Sequence, residues 1–121
     1  MAKRILTVDD SKTMRDMVSF TLKKAGYEVG EAEDGKVALN VLAGAKFDLI
    51  ITDLNMPNMD GITLIKNVRS DAKHRGVPIL ILTTESDDKK KGDGKAAGAT
   101  GWLVKPFSPE KLIELIQRVC P

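Results

Sequence analysis

Eight side chains could assemble a reactive site: Asp9 and Asp10, Asp53 with Asn55 just behind it, Thr83, Thr84 and Glu85, and Lys105. Three carboxylates brought together repel one another, which is costly unless a cation joins them. An all-oxygen set without His or Cys suits Mg²⁺ or Mn²⁺. A lysine and a threonine hydroxyl on the other side would supply a positive charge and a donor that a carboxylate trio does not need for itself. A phosphate is the natural third party. Taken alone, Asp9 or Asp10 reads more simply as a helix cap, since Asp favours that position. Capping leaves Lys105 and Thr83 unexplained, and Asp53 precedes a loop containing Pro57 rather than a helix.

These residues converge only if the elements before them end on one edge. Short β-branched or aliphatic runs alternate with longer amphipathic segments, the pattern of a parallel sheet covered by helices on both faces. The spacing predicts an α/β fold of five β/α units, doubly wound, with strands near 4 to 8, 28 to 32, 48 to 52, 78 to 82 and 101 to 104. Asp9 and Asp10 then end the first strand, Asp53 the third, and Thr83 and Thr84 the fourth, while Lys105 follows the fifth. In open sheets of this kind ligands bind outside the carboxyl ends, where the strand order reverses.

The first helix should start at an N-cap, Ser11, bury Met14, Val18, Leu22 and Ala25, and end at Gly26. Asp34-Gly35 fits a turn opening the second, and Asp60 caps a third carrying Ile62, Leu64, Ile65 and Val68. Ser108 caps the last, with Pro109 in its first turn and Leu112, Leu115, Ile116 and Val119 turned inward. Gly30 interrupts the second strand. Gly92 and Gly94 fall within the fourth helix, each costing up to about 1 kcal/mol relative to alanine, so that helix should be of low intrinsic stability.

The sequence has 121 residues and is 42% hydrophobic, which suits one compact domain over residues 1–121. A net charge of +2 gives no general field for nucleic acid or a membrane surface. The apolar runs are strand-sized and no secretory signal pattern opens the chain, so a soluble, cytoplasmic, monomeric protein is expected. Cys120 is the only cysteine and cannot form an internal disulfide.

Val-Asp-Asp-Ser at 8 to 11, Asp-Leu-Asn-Met-Pro-Asn-Met-Asp-Gly at 53 to 61, Thr-Thr-Glu at 83 to 85 and Lys-Pro-Phe at 105 to 107 resemble response-regulator receiver domains, above all those of the chemotaxis (CheY) kind. The resemblance spans essentially the whole chain. It implies a flavodoxin-like sheet of order 2-1-3-4-5 with five helices, and a phosphorelay role rather than enzymatic turnover of an outside substrate. It further implies that Asp53 is the phosphoacceptor, that Asp10, Asp53 and the backbone carbonyl of Asn55 bind Mg²⁺ directly, and that Asp9 acts through a bound water. Thr83, Thr84 and Lys105 would contact the phosphoryl group, with a cis Lys105-Pro106 bond. Asn55 and Glu85 would tune dephosphorylation, Thr83 and Trp102 would form the switch, and Trp102 stands where the family usually has Tyr or Phe. The implied phosphodonor is a sensor histidine kinase or phosphotransfer protein. The implied target, the flagellar motor switch in a chemotaxis system, would dock on the face made by the fourth helix, fifth strand and fifth helix.

Other features read more plainly. Lys89, Lys90 and Lys91 lie beside Asp87 and Asp88 as a solvated helix face, His74 is expected on the surface, and Met56 and Met59, which flank Pro57, should pack rather than react. A phosphohydrolase of the haloacid dehalogenase kind also phosphorylates a strand-end aspartate, but it wants a second aspartate where Asn55 stands. A receiver-fold interaction module that is never phosphorylated is the other alternative, and the intact Asp10, Asp53, Thr83 and Lys105 set argues against it. No glycine-rich phosphate loop follows the first strand, which disfavours nucleotide binding.

Overall fold

Alternate residues on each strand face opposite sides of the sheet, and in the inner strands both sets are largely apolar, so the sheet feeds two cores. The computed structural model describes residues 3–84 and 87–121. The order is β1 (Arg4–Val8), α1 (Lys12–Lys24), β2 (Glu28–Ala32), α2 (Gly35–Gly44), β3 (Leu49–Thr52), α3 (Gly61–Ser70), β4 (Ile79–Thr83), α4 (Asp88–Ala97), β5 (Gly101–Val104) and α5 (Pro109–Val119). All strands pair in parallel in the order β2-β1-β3-β4-β5. The strands expected from the sequence are all present, each bound falling within a residue. Ile5, Leu49, Ile51, Leu80 and Leu82 pack with Val18 and Leu22 of α1 and Leu112 and Ile116 of α5. Leu6, Val8, Ile50, Ile79 and Ile81 pack with residues of α2 and α3, joined by Ala97 of α4.

The helices begin where side-chain acceptors replace the missing backbone partners of a first turn. Ser11, Asp34, Asp60 and Ser108 accept from the amides of Met14, Val37, Thr63 and Lys111. α1 ends with Gly26 in the left-handed region, φ 97°. Ala25, expected inside, is exposed at the C-cap instead, and buried Ser19 takes a place in the α1 face. Met14, Leu115 and Val119 are half-buried.

Three features depart from a plain reading of residue type. His74 is buried, not on the surface: the turn at 71–76 tucks its ring inward, with Nε2 2.9 Å from the Leu42 carbonyl, one of the last carbonyls of α2. Gly30 leaves no void, because the Phe47 ring fills the space its side chain would occupy. Gly94 likewise lets α4 close onto Ile81 and Trp102, where a methyl group would stand 2.8 and 3.0 Å from their side-chain atoms. The C-terminal end of α4 is also held from outside, since the Arg69 guanidinium of α3 donates to the carbonyls of Gly98 and Val77.

Candidate functional site

The sheet hands its order to the site through the backbone. Asp9, Asp53 and Lys105 each stand just past a strand end, yet their amides still donate to the neighbouring strand: Asp9 to Ala32, Asp53 to Val8 and Lys105 to Thr83, at 3.1, 2.8 and 2.8 Å. Their side chains therefore leave the sheet at positions the pairing has already set. The chain runs from β1 outward to β2 and returns on the other side as β3, so Asp9 and Asp53 flank the point where strand order reverses.

Asp9, Asp10 and Asp53 each offer a carboxylate oxygen within 4.8 Å of the others. Asp9 is buried, Asp53 half-buried and Asp10 exposed, so the cluster opens outward at Asp10. This donor set fits a hard divalent cation: it is all oxygen, strongly acidic and open on one side.

Lys105 stands opposite. Its Nζ lies 2.9 Å from Asp9 Oδ2 and 3.6 Å from Asp53 Oδ2, with little of any of the three side chains exposed. Asp9 is held further by the Ser11 amide on Oδ1, at 2.9 Å, and by Arg15, which donates to its backbone carbonyl and pairs with Glu31 at 3.5 Å. On Asp53, Oδ1 accepts from the Leu54 amide at 2.7 Å, and the fully buried Thr83 hydroxyl donates to the carboxylate. Burial pushes the Asp53 carboxyl above its ordinary value of 3.8, opposed by Lys105 and the Leu54 N–H. The Lys105-Pro106 bond is cis.

The sequence-derived set is thus largely brought together: Asp9, Asp10, Asp53, Thr83 and Lys105 share one pocket edge. Asn55 is exposed in the loop after Asp53. Thr84 is exposed beyond β4, and among the described contacts none joins it to Asp53. Glu85 lies outside the described residues. Trp102 is half-buried, packed on the α2–α3 core, and Met56 and Met59 pack on the same cluster as expected.

Four residues escaped the sequence reading as parts of the site. Arg15 steadies Asp9, and Gly61 presses against the Asp53 carbonyl. Asn58 adopts a left-handed φ of 66° and donates 2.8 Å to Asp34, which appeared only as a turn residue. The one available signal was the Pro-Asn-Met-Asp-Gly run, dense in turn formers.

Comparison with known proteins agrees with this geometry. The response regulator receiver domain family matches residues 5–117. The chain is 43% identical over 118 residues to chemotaxis protein CheY1 of Helicobacter pylori, covering 96% of this chain and 95% of that one. It is 39% identical to chemotaxis protein CheY-3 of Vibrio cholerae over 117 residues, 96% and 90% of the two chains. The solved structure of Vibrio cholerae CheY4 superposes with a TM-score of 0.95 at 53% identity, covering 98% and 99%. The receiver domain of a Pseudomonas aeruginosa sensor histidine kinase, solved with a magnesium ion coordinated in its active site cleft, superposes at 0.92 with 28% identity, covering 99% and 98%. These matches favour a receiver over the haloacid dehalogenase alternative. The chain belongs to the response regulator receiver domain family, homologous to the chemotaxis CheY proteins and built to serve as a phosphoacceptor in signalling.

Proposed function

We propose that Asp53 takes up the phosphoryl group, in a Mg²⁺-dependent reaction, and that the chain serves a chemotaxis-type pathway. The observation that carries this reading is the surroundings of Asp53: two further carboxylates within 4.8 Å, a buried threonine hydroxyl on it, and an ammonium 3.6 Å away.

One Asp53 carboxylate oxygen forms the new O–P bond while the P–N bond of a phosphohistidine breaks. The imidazole departs with the bonding pair and recovers a proton. Positioning and charge neutralisation are the main demands of such a transfer. The Leu54 amide fixes one Asp53 oxygen, so the carboxylate cannot rotate freely. Thr83, Thr84 and Lys105 would hold phosphoryl oxygens, Thr83 and Lys105 being the two already beside the Asp53 carboxylate. Asp10, Asp53 and the Asn55 carbonyl would hold Mg²⁺ directly, with Asp9 acting through water, and Mn²⁺ fits the same donors. When bound, the ion would neutralise the crowded carboxylates and the incoming phosphoryl oxygens.

A sensor histidine kinase or phosphotransfer protein would be the donor. The target, a flagellar motor switch in such a pathway, would meet the α4-β5-α5 face, with Thr83 and Trp102 relaying the change and Asn55 and Glu85 setting its lifetime. The domain acts as a cytoplasmic monomer and catalyses only its own phosphorylation and dephosphorylation. No helix among the described residues is long and apolar enough to cross a membrane. Incubation with acetyl phosphate and Mg²⁺ tests the assignment: wild type should gain one acid-stable, base-labile phosphoryl group, and Asp53→Asn should gain none. Equal labelling of the two would refute it.

A further inference from the structure

The loop after β3 runs from Asp53 to the α3 cap at Asp60 and carries Asn55, whose backbone carbonyl the proposed function assigns to the metal. A loop of this length can present a carbonyl reproducibly only if both its ends and its crest are fixed. Its base is fixed where Gly61 donates to the Leu54 carbonyl at 2.8 Å. Its crest is fixed from a different part of the chain. Asp34, at the end of the β2–α2 connection and 5% exposed, spends one carboxylate oxygen on the Val37 amide at 2.9 Å. The other accepts from Asn58 Nδ2 at 2.8 Å. Asn58 sits in the left-handed region, a conformation that asparagine tolerates better than most residues but that still needs support. Beside it Met59 lies flat on Gly35, where a methyl group would stand 2.8 Å from Met59 Cγ.

We infer that Asp34 is a positioning residue for the metal-binding loop, acting through Asn58 to hold the Asn55 carbonyl in register with Asp53 and Asp10. The inference rests on the proposed function, because the Asn55 carbonyl matters only if that site takes a divalent ion. Asp34 touches neither metal nor phosphoryl group. Its carboxylate both starts α2 and fastens the crest of the loop, so the N-terminus of α2 becomes the loop's abutment. Hydrogen-bond partners outside the ligand set commonly change metal affinity by about ten- to a hundredfold, and a tether further removed should act at or below the low end.

Charge and position make opposite forecasts here. If Asp34 and Asn58 mattered only through the local field, Asn58→Asp would add a negative charge and tighten Mg²⁺ binding. If they matter through the tether, the same substitution sets two carboxylates against each other, releases the crest and weakens binding.

The test is calorimetric titration of the full chain with Mg²⁺ alone, paired with hydrogen exchange of the amides of Leu54, Asn55, Met56, Asn58 and Met59. N58D should weaken Mg²⁺ about three- to tenfold and speed exchange in the loop. The exchanged pair D34N/N58D, which swaps donor and acceptor at constant net charge, should restore affinity to within about twofold and return the exchange rates. N58A, which removes the donor without adding charge, gives the same direction should N58D fail to fold. Acetyl phosphate labelling of N58D should be slow at low Mg²⁺ and recover at saturating Mg²⁺. Unchanged or tighter Mg²⁺ binding in N58D or N58A, or a double variant no better than N58D, would overturn the inference while wild type still binds and labels. A wild type that neither binds Mg²⁺ nor labels would overturn the proposed function and the inference with it.

Discussion

Gly61 lies so close to Asp53 that a methyl group on its Cα would stand 2.3 Å from the Asp53 carbonyl oxygen and 3.0 Å from Leu54 Cα. Both obstacles are backbone, which cannot swing aside like a side-chain tip. Gly61→Ala must therefore push the first turn of α3 away from the end of β3. Overpacking of this kind should cost about 3 kcal/mol, read as a lower midpoint in urea, and should weaken Mg²⁺ binding because the displaced backbone carries Asp53. Gly92→Ala, at a position with open space around it, is the control and should be neutral or stabilising.

Removing charge from the acidic cluster should stabilise the metal-free fold. Burial raises the Asp53 carboxyl above 3.8, so the folded chain holds that proton more tightly than the unfolded one. Stability from this group is greatest at low pH and is lost as pH rises through the raised value. In chelator at pH 7, Asp53→Asn should melt a few degrees above wild type, and the gap should close below about pH 4. A variant that melts lower at neutral pH would show that the pairing with Lys105 outweighs burial.

Asp34 has the opposite sign. Hydrogen bonds from the Val37 amide and Asn58 hold its carboxyl below 3.8. Its contribution is present above that ordinary value and disappears as pH falls through the lowered one. Asp34→Asn should therefore destabilise the fold at pH 7, and the difference from wild type should shrink on acidification, measured by melts from pH 7 down to pH 3.

Mg²⁺ should stabilise wild type by relieving repulsion among Asp9, Asp10 and Asp53. With a Kd on the order of 1 mM, about 10 mM Mg²⁺ adds roughly 1.4 kcal/mol by mass action. Melts in chelator and in Mg²⁺ should differ accordingly, and the difference should be much smaller in Asp53→Asn.

Trp102 is the only tryptophan, and its ring edge packs against Gly94 of α4. Beryllofluoride with Mg²⁺, mimicking the acyl phosphate, should shift its emission, because an anion on Asp53 engages Thr83 and biases the packing beneath the ring. Thr83→Ala should blunt the shift and Asp53→Asn abolish it. Bound beryllofluoride with unmoved emission would place signalling in α4 instead.

The fold was legible because its signals are local and redundant. Ser11, Asp34, Asp60 and Ser108 cap helices as their types dictate, and the runs at 5 to 8, 49 to 52 and 79 to 83 are short and apolar as buried strands must be, while the polar run at 28 to 32 is placed by the alternation of units. The cluster of Asp9, Asp53, Thr83 and Lys105 followed from topology, since a parallel sheet places all four on one edge. What stayed hidden depends on space rather than type. Gly94 reads as a helix weakener until Trp102 is seen beside it, and His74 reads as polar surface until the Leu42 carbonyl is found 2.9 Å from its ring. Asn58 and Asp34 are 24 positions apart, and nothing in either segment announces the bond between them.

The closing contact of the acidic pocket joins Lys105 to Asp9 across 96 positions. The three clustered carboxylates all precede residue 54, whereas the ammonium that faces them comes only at 105. A chain still leaving the ribosome has Asp9, Asp10 and Asp53 in hand long before it has the ammonium that completes them. A product terminated before residue 105 would therefore carry the acidic cluster without the cation that offsets it. The two ends of the sheet's chain order, β1 and the segment after β5, are thereby answerable to each other at one carboxylate.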